Sequence, residues 1–281
     1  MNVCFSRVVK SFCMRALFLI VIVAGLSGCD DWFAPSRQPG EIPFVLTGLS
    51  NDACPLEVTV EGQPWTVDHF AFYLSNPEIR IDGRWHAIAF HPSEWQTKNI
   101  ALLSFHNACG ETPSGNQSIV LNASEKLMKL ATNLRFTLAV PFENNHALDT
   151  PPTAPLGAPN MFLNAQNGHY YLRLDMHKTS TPTETFAYHL GSAECESVSP
   201  NHAPNRACGF TNRIEFILPM LQFDTELTLE LSVSNIVSQV NFSQYEAGCV
   251  FTSPEQAPCD QLLRNLLQRP WIQWDDNVYK I

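Results

Sequence analysis

The sequence predicts an all-β fold, a disulfide-stapled β-sandwich with one or two short peripheral helices. Three observations predict it. Apolar and polar residues alternate: residues 225–234 read TELTLELSVS and put Leu227, Leu229, Leu231 and Val233 on one face. Pro and Asn clusters cut the chain into short runs of strand length. Six cysteines lie beyond the N-terminal segment of what reads as an exported chain, where oxidised pairs are the rule.

The chain opens with a targeting signal. Arg7, Lys10 and Arg15 precede an apolar run over 16–26, too short to span a bilayer stably, and Leu26-Ser27-Gly28-Cys29 follows as a lipobox. Residues 1–28 therefore read as a lipoprotein signal peptide, and Cys29 as the lipidated residue that ties the protein to the lipid bilayer. Residues 29–41, polar and containing Pro35 and Pro39, read as a flexible tether, and 42–281 as one domain. The expected location is the periplasm of a Gram-negative bacterium, lipid-anchored to the inner or outer membrane. Asp30 and Asp31 after the cysteine act as an inner-membrane retention signal in some bacteria.

Strands are expected at 56–60, 100–105, 134–140, 169–176, 213–218 and 225–234. Asn122-x-x-Glu125 reads as a capping box opening a helix over 124–131. A second helix is expected over 260–268, with Leu262, Leu263, Leu266 and Leu267 at helical spacing and Pro270 ending it. Residues 151–159 carry four prolines and read as a long loop.

Cys54, Cys109, Cys195, Cys208, Cys249 and Cys259 allow 15 pairings. Local separation favours Cys195 with Cys208 and Cys249 with Cys259, which leaves Cys54 for Cys109. Each bridge would stabilise by roughly 2–4 kcal/mol. The competing reading of these cysteines is thiolate ligation of a metal ion.

Three of the 17 basic residues lie in the signal, which leaves 14 against 27 acidic groups and a net charge of −13 on residues 29–281. That field excludes nucleic acid as a partner. There is no Gly-x-Ser-x-Gly, His-Glu-x-x-His or Gly-rich phosphate loop, so the chain does not read as an enzyme. Instead His146, His169, His177 and His189 sit at strand edges and loops, a distribution that suits a metal site.

Several segments resemble one family. LRFTLAVPFENNHAL (134–148), APNMF (158–162), the Gly-x-Tyr-x-LRLDM run (168–176) and HLGSAEC (189–195) are similar to the MbnP-like copper-binding periplasmic proteins, the metallo-mystery pair four-Cys family. DHFAFYLSN (68–76), WQTKNIALLSFHNAC (95–109) and GCVFTSPEQAPC (248–259) extend the likeness over about residues 43–281, with Ser104 where the family has Asp. The resemblance implies a Cu(I)-binding protein that handles copper alongside a di-haem cytochrome c peroxidase or MauG-like partner. It makes His146 and His189 the core metal ligands, with Met161 or His169 completing the site. His169 stands where the family usually has Tyr. The alternative is a non-metal interaction module on the same fold with a decayed copper site.

One departure stands out. The family's Met-Phe-Trp-x-Trp, in which a tryptophan becomes kynurenine, reads here Met161-Phe162-Leu163-Asn164-Ala165. Neither tryptophan is present. His169, six residues after Leu163, is the nearest replacement donor in sequence.

Overall fold

A computed structural model describes residues 37–50, 54–105, 115–147, 154–220, 227–242, 248–250 and 259–275. The signal, Cys29 and most of the tether lie outside the described residues, as do Cys109 and His106. One compact unit spans Pro39–Ile281. Its strands are β1 (Glu41–Thr47), β2 (Glu57–Val60), β3 (Gln63–Ile81), β4 (Arg84–Ala87), β5 (Ile100–Ser104), β6 (Ser118–Val120) and β7 (Asn133–Leu138). They continue as β8 (Phe162–Asn164), β9 (Gly168–Lys178), β10 (Thr181–Gly191), β11 (Ile214–Pro219), β12 (Leu229–Ser232), β13 (Cys249–Val250) and β14 (Ile272–Trp274).

These strands form the expected sandwich. The smaller sheet runs β14-β12-β1-β6; the larger runs β11-β7-β3-β9-β10-β13, with β2, β4 and β5 also on β3, and β8 on β9. Pairing is antiparallel except for β1 with β12 and β10 with β13. The apolar faces meet through aromatic rings. Phe44 of β1 sits edge-on to Phe72 of β3, whose ring also meets Trp271 at 5.7 Å. Edge-to-face aromatic pairs of this kind add about 0.5–1.5 kcal/mol beyond the area they bury.

The strand β3 is longer than any run marked from sequence, because it bends rather than ends. Its register shifts between Ser75 and Glu78, where Asn76 has φ 51°, and the alternation resumes with Ile79 inward. Over 227–234, the described part of the strand expected at 225–234, the paired run is shorter. Leu227, Leu229, Leu231 and Val233 are all buried as predicted, but only Leu229–Ser232 pairs as a strand. Ser232 then accepts a hydrogen bond from the Asn235 N–H and caps a helical turn, Val233–Ile236, that alternation cannot reveal.

The helix α1 (Glu125–Leu130) forms, but Ser124, not Asn122, is its N-cap: the Ser124 Oγ accepts from the Leu127 N–H. The capping-box reading was two residues early. The short α2 (Phe142–Asn145) closes the β7 exit, Val233–Ile236 is α3, and α4 is Cys259–Gln268. In α4 the buried stripe is Cys259, Leu262, Asn265 and Leu266, while Leu267 is exposed. Asn265 earns its core place by donating to the carbonyls of Ile236 and Ser238, which fixes α3 against α4.

Two of the expected disulfides, Cys195–Cys208 and Cys249–Cys259, are formed. Cys54 is also disulfide-bonded.

Candidate metal centre

The strands β9 and β10 present two unlike faces. Leu172, Leu174 and Met176 of β9 and Phe186, Tyr188 and Leu190 of β10 point into the core. Arg173, Asp175 and His189 occupy the opposite face, because cross-strand pairs such as His189 with Arg173 and Ala187 with Asp175 share a side. On the neighbouring strand β3, His69 pairs with Asp175 and Ala71 with Arg173.

Asp175 is the hub of this face. Its Oδ1 accepts from His189 Nε2 at 2.6 Å, and its Oδ2 accepts from Arg173 Nε at 2.7 Å. Burial pushes the Asp175 carboxyl up, but the hydrogen bonds from His189 and Arg173 and the charge of the Arg173 guanidinium outweigh it and hold the carboxyl below its ordinary value. With Nε2–H spent on the carboxylate, His189 carries its lone pair on Nδ1. That atom is buried and has no hydrogen-bond partner. The Tyr170 ring packs on the His189 imidazole at 4.7 Å.

His169 repeats the pattern elsewhere. It is 3% exposed, and its Nε2–H donates to the Leu156 carbonyl at 3.0 Å. Its Nδ1 is buried without a partner. The Tyr73 and Phe162 rings pack around it, and the Tyr73 hydroxyl donates to the Pro155 carbonyl. Burial is the main force lowering the His169 pKa, so the neutral imidazole is the stable form.

His146 sits beside His169 and is organised differently. Its Nδ1–H donates to the Ala165 carbonyl at 3.1 Å, and its Nε2 accepts from Asn145 Nδ2 at 3.2 Å. Both nitrogens are engaged. Burial lowers its pKa, against the opposing effect of the Ala165 carbonyl. Asn145, fully buried, turns its Oδ1 to the His169 N–H at 2.7 Å and so ties the two histidines together. Gly168 makes this possible: at φ +76°, a Cβ there would lie 2.3 Å from Asn145 Nδ2.

The sequence-predicted residues therefore divide. His146 and His169 come together through Asn145. His189 is held by Asp175, and no group of three His, Cys, Asp or Glu donors among the described residues contains both it and His146. Met161 is buried in the core cluster. Phe162, not Leu163, pairs with His169 across the β8–β9 hairpin, and Leu163 is 40% exposed. Spacing from Leu163 was thus the wrong guide to what faces His169, because residues 165–167 form the turn. Of the remaining histidines, His86, His91 and His202 are exposed, and His177 pairs with Asp68. Sequence reasoning missed Asp175 and Asn145. The Asp175 signal was present in its strand: an acid at the same parity as Arg173, opposite a strand carrying His189.

The comparisons with known proteins agree with this architecture. A search of curated proteins finds no match. A solved structure, MbnP from Methylosinus trichosporium, superposes with a TM-score of 0.66 over 81% of this chain and 87% of that one, at 19% sequence identity, a likeness of fold. The MbnP family model matches residues 40–251, about three quarters of the sequence, and the chain belongs to the MbnP family.

Proposed function

We propose that this chain is a periplasmic copper-binding protein, lipid-anchored through Cys29, that handles copper alongside a MauG-like di-haem partner. The observation that carries this reading is the state of two imidazoles. His189 and His169 each donate Nε2–H to a fixed acceptor, a carboxylate and a carbonyl, and each keeps a buried Nδ1 lone pair with no partner. Leaving such an atom unsatisfied costs about 1–3 kcal/mol, so a buried bare lone pair asks for a ligand. An imidazole oriented through its second nitrogen by a carboxylate or carbonyl is the usual arrangement around a protein-bound metal. The donors fit Cu(I), which takes neutral imidazole and soft thioether.

On this reading His189 and His169 would each offer copper an Nδ1 lone pair. Asp175 and Leu156 orient them, Asn145 positions the His169 backbone, and Met161 is the available thioether. His146, whose lone pair is taken by Asn145, acts through Asn145. Bound copper would supply one-electron redox chemistry. The protein's share is to hold each imidazole through its Nε2–H, by Asp175 at His189 and by the Leu156 carbonyl at His169.

The test is Cu(I) titration of the mature, oxidised protein against a colorimetric chelator. One equivalent should bind more tightly than Zn(II), and His189→Ala should abolish tight binding. Full binding by both His189→Ala and His169→Ala would reject the assignment.

A second reading, a non-metal interaction module, draws on two observations: both His146 nitrogens are satisfied within the protein, and both family tryptophans are gone. A di-haem peroxidase-like gene beside this one would favour the copper system, and its absence the module.

A further inference from the structure

The Cys195–Cys208 disulfide does not stand alone in the core. His146 Nε2 lies 3.9 Å from Cys208 Sγ, and a ring nitrogen of His146 and the two sulfurs all fall within 4.8 Å of one another. The three side chains are almost fully buried, at 5%, 4% and 6% exposure. Beside them opens a polar cavity of about 800 Å³, walled by Gln166, Cys195, Glu196 and Arg206. Cys195 lines it, and Gln166 on the same wall donates to the Cys195 carbonyl. A structural disulfide needs no buried imidazole against one of its sulfurs.

We infer that reduction of Cys195–Cys208 unmasks a second soft-metal site, with two thiolates and His146 Nε2 as its donors. It is separate from the site proposed on His189 and His169. The geometry is suited to it. With a metal–nitrogen distance of about 2.0 Å and a metal–sulfur distance of about 2.3 Å, a 3.9 Å N···S separation closes at an angle of roughly 130°, near trigonal. Two thiolates and one imidazole select Cu(I) or Zn(II) over hard cations.

The reductant is a dithiol. Its thiolate attacks Cys195 Sγ and forms a mixed disulfide, releasing the Cys208 thiol. Its second thiolate then displaces Cys195, so the protein gains two thiols and the reductant leaves as its own disulfide. On metal binding both thiols lose their protons to solvent. His146 Nε2 exchanges its Asn145 hydrogen bond for the metal, while Nδ1–H keeps its bond to Ala165 and fixes the tautomer.

The experiment compares Cu(I) uptake before and after treatment of the mature protein with a dithiol, which is removed anaerobically. The reduced protein should bind one more equivalent than the oxidised protein, with a new near-ultraviolet thiolate-to-copper charge-transfer band. His169→Ala/His189→Ala should keep that extra equivalent, so failure of the imidazole site and failure of this one are read separately. Cys249→Ala/Cys259→Ala should keep it as well, and Cys195→Ser/Cys208→Ser should lose it. If that last variant does not fold, His146→Gln decides, with at least a tenfold weaker extra equivalent expected. Equal uptake by oxidised and reduced protein overturns the inference. So does an extra equivalent that disappears with His169 and His189, or one that binds His146→Gln unweakened.

Discussion

On one face of β9 and β10, Leu172, Leu174, Met176, Phe186, Tyr188 and Leu190 are each at most 1% exposed. On the other face Arg173, Asp175 and His189 are partly buried and linked by two hydrogen bonds centred on one carboxylate. The backbone is shared; the energetics are not. The apolar face is held by area removed from water, a non-directional force that any well-shaped hydrophobic side chain can supply. The polar face is held by donors and acceptors in fixed positions, where one missing partner leaves its neighbour stranded. The first face should respond to mutation with stability, the second with ligand affinity.

The largest effect should come from the first face. Leu174→Ala removes a fully buried side chain and should cost about 2–5 kcal/mol in urea unfolding, while copper affinity of the folded fraction stays within twofold. A variant that loses copper but not stability would show that the two faces are coupled.

Gly168→Ala attacks the hinge between the β8–β9 hairpin and Asn145. The added Cβ must adopt φ near +76° and displace a buried side chain from 2.3 Å, so a loss of about 2–3 kcal/mol is expected. The His169 N–H would lose its acceptor at the same time. Asn145→Ala should reproduce the loss of positioning without the steric strain, and the difference between the two melts measures that strain.

Asp175→Asn is the sharpest test of the second face. An amide has half the acceptor capacity of the carboxylate and no charge, so it cannot serve Arg173 and His189 alike. Copper affinity should fall ten- to a hundredfold, about 1.4–2.8 kcal/mol. Because the Asp175 folded pKa is depressed, its stabilisation is complete above the ordinary carboxylate pKa and is lost as pH falls through the folded value. The wild-type acid limb should therefore flatten in Asp175→Asn.

The histidines place a second pH effect at milder acidity. His146 and His169 have lowered pKa values through burial, so the unfolded chain binds protons that the folded chain refuses. Stability of the metal-free protein is complete above about pH 6.5 and declines as pH drops below it. Urea midpoints at pH 7.5 and 5.5 should differ in that direction, and His169→Gln should reduce the difference. A midpoint that rises on acidification would mean the imidazoles fold as cations.

The contrast between the two faces also accounts for what could be read from the sequence. Alternation marked β7, β9, β11 and the buried face of β12, since burial area is a local property of residue type. Cysteine spacing marked both described pairs. The polar site was legible only as candidates. His169 and His189 looked alike in sequence, as did His146, yet a hydrogen bond from a side chain one residue away distinguishes His146 from the other two. Such partners are set by register and by bulges such as the one between Leu190 and Gly191, which hydrophobic periodicity does not encode. The bend in β3 and the Ser232 cap escaped for a related reason: each is an interruption whose stabilising contacts come from another strand or from side-chain geometry.

The smallest effect is expected where the family's tryptophan is missing. Leu163 is 40% exposed at the β8 edge, so Leu163→Trp should change stability by no more than about 0.5 kcal/mol. The wild-type segment 161–171 should carry no oxygen adduct in protein isolated from its native host, because neither leucine nor alanine can become kynurenine. Mass spectrometry of that peptide checks it. If Leu163→Trp then acquires an adduct in the native host, the oxidising partner still reaches β8 and only its target residue has gone. If Leu163→Trp folds normally and stays unmodified, the partner no longer addresses this segment. The copper site proposed on His169 and His189 would then have to work without any oxidised residue in this segment.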